Sequence, residues 1–320
     1  MRINAVHMLL PLLLFTSAAQ AAYPDKPIRL IAPFAPGGYI DITARTIAPG
    51  MTSELGQTVV VENRGGAGGR IGTEMVAKAA PDGYTLLLGS SGSLTVNPAF
   101  SNVAAYDPVK DFIATSSVSI VPIALVTHPS LPVKTAQDFI ALAKARPRSI
   151  TMASAGTGSN GHLTGELFQV ITGAKLTHIP YKGSGPALVD LMGGQTQCIF
   201  DQVSTSAPLT NSGKLRAIAV ASSKRSPQMK DTPTMEEAGV RNFEAATYTG
   251  VFLPAGAQKD VVAKVTAAVL KTLDMPATRD AFTRLGADVI KSTPEELTKR
   301  LAADLARWKK VQQQTGIRLD

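Results

Sequence analysis

Three stretches set glycine and hydroxyl residues where an apolar strand gives way to a helix, and their chemistry is that of an anion cradle. The first is Pro33-Phe34-Ala35-Pro36-Gly37-Gly38-Tyr39-Ile40-Asp41, following the apolar run from Ile28 to Ala32. The second is Leu86-Leu87-Leu88 leading to Gly89-Ser90-Ser91-Gly92. The third is Ile150-Thr151-Met152-Ala153 leading to Ser154-Ala155-Gly156-Thr157-Gly158-Ser159-Asn160-Gly161. A helix that starts at such a turn leaves its first backbone N–H groups without an intrahelical acceptor at the positive end of the macrodipole, where a carboxylate can settle. The sequence therefore predicts one cleft served by Phe34, Ala35, Pro36, Gly37 and Gly38, by Ser90 and Ser91, and by Ser154, Gly156, Thr157 and Ser159.

Other side chains have weaker claims on that cleft. Asp41 stands at the first helix start, where capping orphan amides competes with ligand contact. Asp201 ends the apolar run Cys198-Ile199-Phe200, with the same two roles open. Tyr39 lies inside a glycine turn with no evident core to fill, so its ring is expected to meet the ligand and set selectivity. The run Gly156–Gly161 matches G-x-G-x-x-G, yet no acid ends the following strand, where Leu176–Pro180 leads to Tyr181-Lys182; a small anion suits it better than a dinucleotide.

Catalytic groupings are not visible. Neither Ser91 nor Ser159 completes G-x-S-x-G, and His128, His162 and His178 lack metal-ligand spacing. Cys198 is the single cysteine and reads as a buried strand residue. No catalytic residue, metal or cofactor is expected. The net charge of +8 could steer anions, but the basic residues are scattered and aromatics are few (5%), which argues against nucleic acid.

The elements needed to hold these turns follow from periodicity. Arg2, an apolar stretch and Ala19-Gln20-Ala21 predict a signal peptide over residues 1–21, cleaved after Ala21, and hence an exported chain without stable membrane insertion. Strand-length apolar runs then alternate with helix-period segments, the pattern of an α/β protein with mostly parallel sheets and flanking helices. About 300 residues exceed one core, so two lobes are expected. The run Val118–Thr127, interrupted by Pro122, and the run Thr247–Leu253 read as two strands crossing between them. Lobe 1 is accordingly assigned to 22–124 and 248–320, and lobe 2 to 125–247, with a two-strand hinge.

Several short motifs together resemble one family. They are Pro33-Phe34-Ala35-Pro36-Gly37-Gly38 with Asp41, Asn63-Arg64 before a glycine run, Pro81-Asp82-Gly83-Tyr84, Gly156-Thr157-Gly158-Ser159, Pro180-Tyr181-Lys182-Gly183, Gly213-Lys214-Leu215-Arg216-Ala217 and Pro233-Thr234 with Glu237-Ala238-Gly239. This set is similar to the extracytoplasmic solute receptors of tripartite tricarboxylate transporters, the Bug-type binding proteins. The resemblance implies a two-lobed, type II periplasmic binding protein, expected as a monomer, that closes on a small organic carboxylate held largely by backbone amides and delivers it to membrane permease subunits. Where that family usually has a third glycine and a threonine, this chain has Tyr39 and Ile40, which predicts an aromatic or longer aliphatic acid rather than a tricarboxylate. An exported sensing module and an exported carboxylate-acting enzyme are the alternatives.

Overall fold

Ile28, Leu30, Ile31 and Ala32 are all fully buried, because the strand they form is covered on both faces, as a parallel strand between helices must be. In the computed structural model, which describes residues 23–101 and 105–317, this strand is β1 (Ile28–Ala32). The predicted signal peptide lies outside the described residues. The elements that follow are α1 (Tyr39–Leu55), β2 (Val59–Asn63), α2 (Arg70–Ala77), β3 (Thr85–Ser90), α3 (Asn97–Phe100), β4 (Phe112–Thr127), α4 (Ala136–Ala145) and β5 (Thr151–Ser154). Next come α5 (Asn160–Thr172), β6 (Thr177–Pro180), α6 (Ser184–Met192), β7 (Cys198–Gln202), α7 (Val203–Asn211), β8 (Arg216–Val220) and β9 (Ala246–Pro254). The chain ends in α8 (Lys259–Asp274), α9 (Pro276–Arg284), β10 (Asp288–Val289) and α10 (Pro294–Thr315).

The order β2-β1-β3-β9-β4 forms a first sheet, with β10 on β4; the order β4-β7-β5-β6, with β8 also on β4, forms a second. The long strand β4 belongs to both. It pairs antiparallel with β9 as far as Pro122 against Ala246, and with β7 and β8 from Ile123 and Ala124 onward. Proline cannot donate to a ladder, so the change of partners falls where β4 is least able to continue its old pairing. The β1–β2, β1–β3, β5–β6 and β5–β7 pairs are parallel, as alternating strand and helix patterns dictate; the crossing strands make the sheets mixed.

The helices pack through apolar faces. Val261, Val265, Val269 and Leu273 of α8 are buried, as are Leu297 and Leu301 of α10. In α5, Leu163 is buried but Val170 is 51% exposed, its place on the inner face being taken by Phe168, which packs on Phe139, Phe200 and Phe243. Cys198 is buried in β7, as read from its apolar neighbours. None of the helices among the described residues is long and apolar enough to cross a bilayer.

Candidate ligand cavity between the two sheets

Helix starts crowd the seam between the sheets. Gly38 caps α1, Ser159 caps α5 with its hydroxyl accepting from the His162 amide (3.3 Å), Gly183 caps α6 and Gln202 caps α7. One cavity is lined from all four starts: Gly38, Tyr39 and Ile40 of the α1 start, Ser159, Asn160 and Gly161 of the α5 start, Ser184 of α6, and Gln202 before α7. Phe34, Ser90, Phe200, Asp201 and Thr247 complete most of the wall, and no lysine, arginine or histidine lines it. The positive ends of four dipoles therefore converge without a formal cation, an arrangement that favours an anion while leaving it free to depart. The cavity is narrow, about 20 Å³, which is room for about one water molecule.

The predicted residues divide by position. Phe34, Gly38, Tyr39, Ser90, Ser159 and Asp201 line the cavity. Ala35, Pro36 and Gly37 instead meet the other half of the molecule: the Ala35 amide donates to the Lys182 carbonyl (2.9 Å), and a Cβ on Gly185 would run into the Pro36 carbonyl oxygen. Gly156 and Thr157 make the same kind of contact, Thr157 opposite Gly68, where a Cβ on Gly68 would overlap the Thr157 carbonyl oxygen. Asn97 Nδ2 reaches the Ala67 carbonyl (3.0 Å) in its own half and the Thr157 carbonyl (3.4 Å) across this seam. Glycine in the 63–72 loop thus serves close backbone approach between the halves.

Asp41 accepts from the Gly37 amide at Oδ2 (3.0 Å) and pairs with Arg45 Nε at Oδ1 (2.9 Å), so both oxygens shape the turn and neither faces the cavity. Ser91 Oγ accepts from Asn160 Nδ2 (2.7 Å), and the same amide donates to Thr247 Oγ1 (2.8 Å), tying the α5 start to β3 and to the crossing strand β9. Ser154 stands one layer back, its Oγ 2.6 Å from His178 Nε2. His178 stacks on His162 at 3.6 Å between ring centroids, and His162 Nδ1 accepts from the Gly158 amide (3.2 Å). Burial, then the neighbouring His162, pushes His178 down to about 3.

Tyr39 does have a core to fill, contrary to the sequence expectation. It is the first residue of α1 and is 1% exposed; its hydroxyl shares a hydrogen bond with Ser119 Oγ (2.7 Å), and Ser119 Oγ shares another with Thr249 Oγ1 (3.0 Å). Burial pushes the phenol up to about 12. Tyr39 borders the cavity from this buried, hydrogen-bonded position, so its ring is not free to swing onto a ligand. Asp201 is 1% exposed and takes Ser184 Oγ (2.6 Å) and Thr205 Oγ1 (2.5 Å) as hydrogen-bond partners; burial pushes its carboxyl above the usual range.

Ile40, Asn160, Gly161, Ser184, Phe200, Gln202 and Thr247 were not singled out from sequence as cavity residues. Asn160 and Gly161 stood inside, and Ser184 directly after, motifs already noted for their glycines, which was the available signal. Gln202 and Thr247 carried none, since their roles depend on which strands cross.

The chain is similar to known proteins over nearly its whole length. The curated relative Protein BugT of Bordetella pertussis is 41% identical over 298 residues, covering 93% of this chain and 91% of the relative. The solved periplasmic binding protein BugD superposes with a TM-score of 0.89 at 36% identity, covering 92% of this chain and 99% of BugD. A protein of R. palustris solved with adipate superposes with a TM-score of 0.88 at 35% identity, covering 92% of this chain and 99% of that one. The family described as tripartite tricarboxylate transporter family receptor matches residues 43–317. With an α/β binding-protein fold, helix starts gathered on one cavity and these likenesses spanning nearly its whole length, the chain belongs to the Bug-type, tripartite tricarboxylate transporter receptor family.

Proposed function

We propose that this chain is a periplasmic receptor that closes two lobes on a small organic carboxylate and presents it to the membrane permease of a tripartite transporter. The observation that carries the proposal is the convergence of the α1, α5, α6 and α7 starts on one cavity without a cationic side chain. Lobe 1 comprises 22–124 and 248–320 and lobe 2 comprises 125–247; the change of partners along β4 at Pro122–Ile123 supports that division. Ligand contacts come from the amides of Gly38, Tyr39 and Ile40, from the hydroxyls of Ser90, Ser159 and Ser184, and from Asn160, Asp201 and Gln202.

A cavity of about 20 Å³ is too small for an organic acid, so admission requires the lobes to part, and the loaded closed form is wider than the one described. Phe34, Tyr39, Ile40 and Phe200 make much of the wall apolar. That lining, with the adipate-bound relative, supports a linear aliphatic or aromatic acid over a branched tricarboxylate.

Thermal unfolding and calorimetry with adipate, benzoate and citrate test this. Adipate at a hundred times its Kd adds about 2.7 kcal/mol to folding stability, and citrate binds more weakly. Tight citrate binding with no response to the other two would remove the selectivity; silence from all three would remove the carboxylate reading. Loss of uptake when the gene is deleted separates transport from sensing.

A further inference from the structure

A carboxyl group in a cavity meant for a carboxylate needs a physical account. Asp201 lies at the end of β7, beside the start of α7, and lines the cavity together with Ser184 and Gln202. Its oxygens face the hydroxyls of Ser184 at Oδ1 (2.6 Å) and Thr205 at Oδ2 (2.5 Å), with the Gln202 backbone amide as a further donor. Thr205 Oγ1 also lies 2.9 Å from the Gln202 carbonyl. That carbonyl can only accept, and one hydroxyl carries one hydrogen. Before a ligand arrives, Thr205 can donate to Gln202 and take a hydrogen from Asp201; once the ligand takes that hydrogen, Thr205 donates to Asp201 and Ser206 Oγ (2.9 Å) still holds the Gln202 carbonyl.

The surrounding charges do not supply a counter-ion. Among cavity-lining residues the other titratable side chain is Tyr39 from α1, neutral below about 12. Behind the α1 turn stands Asp41 with Arg45, already paired; behind the β5–α5 turn stand His162, His178 and Glu166, bonded among themselves and to Ser154 and Gly158. Two carboxyl groups in one enclosed space cannot both stay ionised cheaply, and the usual outcome is one shared proton.

Resting on the carboxylate reading above, we infer that Asp201 is a specificity-determining residue that meets the ligand carboxylate in its un-ionised form, donating its hydrogen to it and selecting acids without an ammonium group. No bond other than the hydrogen bond forms, and the proton comes from solvent as the ligand enters. Burial already lifts the carboxyl in the same direction. An ionised Asp201 would do the opposite, pairing with the amine of an amino acid.

The test uses the full mature protein with adipate and 2-aminoadipate. An infrared difference spectrum of the adipate-loaded protein shows the carbonyl stretch of an un-ionised carboxylic acid, absent in Asp201→Asn. Adipate affinity falls by up to about tenfold per pH unit as pH rises above the ligand-free pKa of that carboxyl; Asp201→Asn, titrated in parallel to remove adipate's own ionisation, is flatter. 2-Aminoadipate binds more weakly than adipate. Should Asp201→Asn fail to fold, isotope labelling of the aspartates in the unmutated protein identifies the band by its shift. A loaded protein without the band overturns the inference, as does tighter binding of 2-aminoadipate whose advantage Asp201→Asn abolishes. Failure of adipate to bind at all strikes instead at the carboxylate reading.

Discussion

At the residue scale, the cavity owes its shape to polar groups that never touch it. Asp41 holds the Gly37 amide and Arg45; the stacked His162–His178 pair holds Ser154 and the Gly158 amide from behind the third turn. His178 gives this arrangement a pH signature. Its folded value of about 3 lies below the ordinary histidine value of about 6.5, so between the two the unfolded chain binds more protons. Stability is full above about pH 6.5 and is lost as pH falls toward the folded value, by up to about 1.4 kcal/mol per unit. Denaturant unfolding at a series of pH values reads this slope, and His178→Gln flattens it; an identical profile in the variant would show the acid sensitivity to lie elsewhere. Sequence noted His162 and His178 only as lacking metal-ligand spacing and could not pair them, because His178 comes from β6 and meets His162 only through the fold.

Elements explain which parts of the site were legible. Strand-to-helix turns announce themselves by composition, so Phe34–Gly38, Ser90–Ser91 and Ser154–Ser159 could be located from their glycines and hydroxyls alone. Which N–H groups stay free for a ligand could not, since the Ala35 amide is engaged by Lys182 and the Gly37 amide by Asp41, residues whose proximity depends on closure and on a helical turn. Tyr39 was misjudged because the core it fills belongs to β4, eighty residues onward. The start of α6 makes a prediction of its own. Gly185 is helical, and the nearest atoms a Cβ there would meet belong to Pro36 and Gly37 of the facing turn. Gly185→Ala therefore leaves each half folded, even gaining about 1 kcal/mol of helix propensity, while blocking full closure. Adipate affinity falls about tenfold or more with no loss in thermal stability of the ligand-free protein. Unchanged affinity would mean that the turns need not touch in the loaded form.

For the whole molecule, β4 is the strand among the described residues that belongs to both sheets, and the chain enters β9 beside it from Ala245, which is bonded to Ile123 and Ala221, so opening must bend both near Pro122 and Ala246. Direct bonds across the seam, from Ala35 to Lys182, Asn97 to Thr157 and Asn160 to Ser91, lower the free energy of the closed form before any ligand arrives. Asn160→Ala removes the last of these and the tie to Thr247, so small-angle scattering of the ligand-free variant gives a larger radius than the unmutated protein; equal radii would show the latch to be idle.

The seam itself has a wider consequence. Its halves meet largely main chain to main chain, with Asn97 and Asn160 as the side-chain ties, whereas the chamber within is walled by Phe34, Ile40, Ser184, Phe200 and Gln202. Re-aiming this receptor at another cargo is therefore a matter of repainting the chamber while the jaws and their outer profile keep their form.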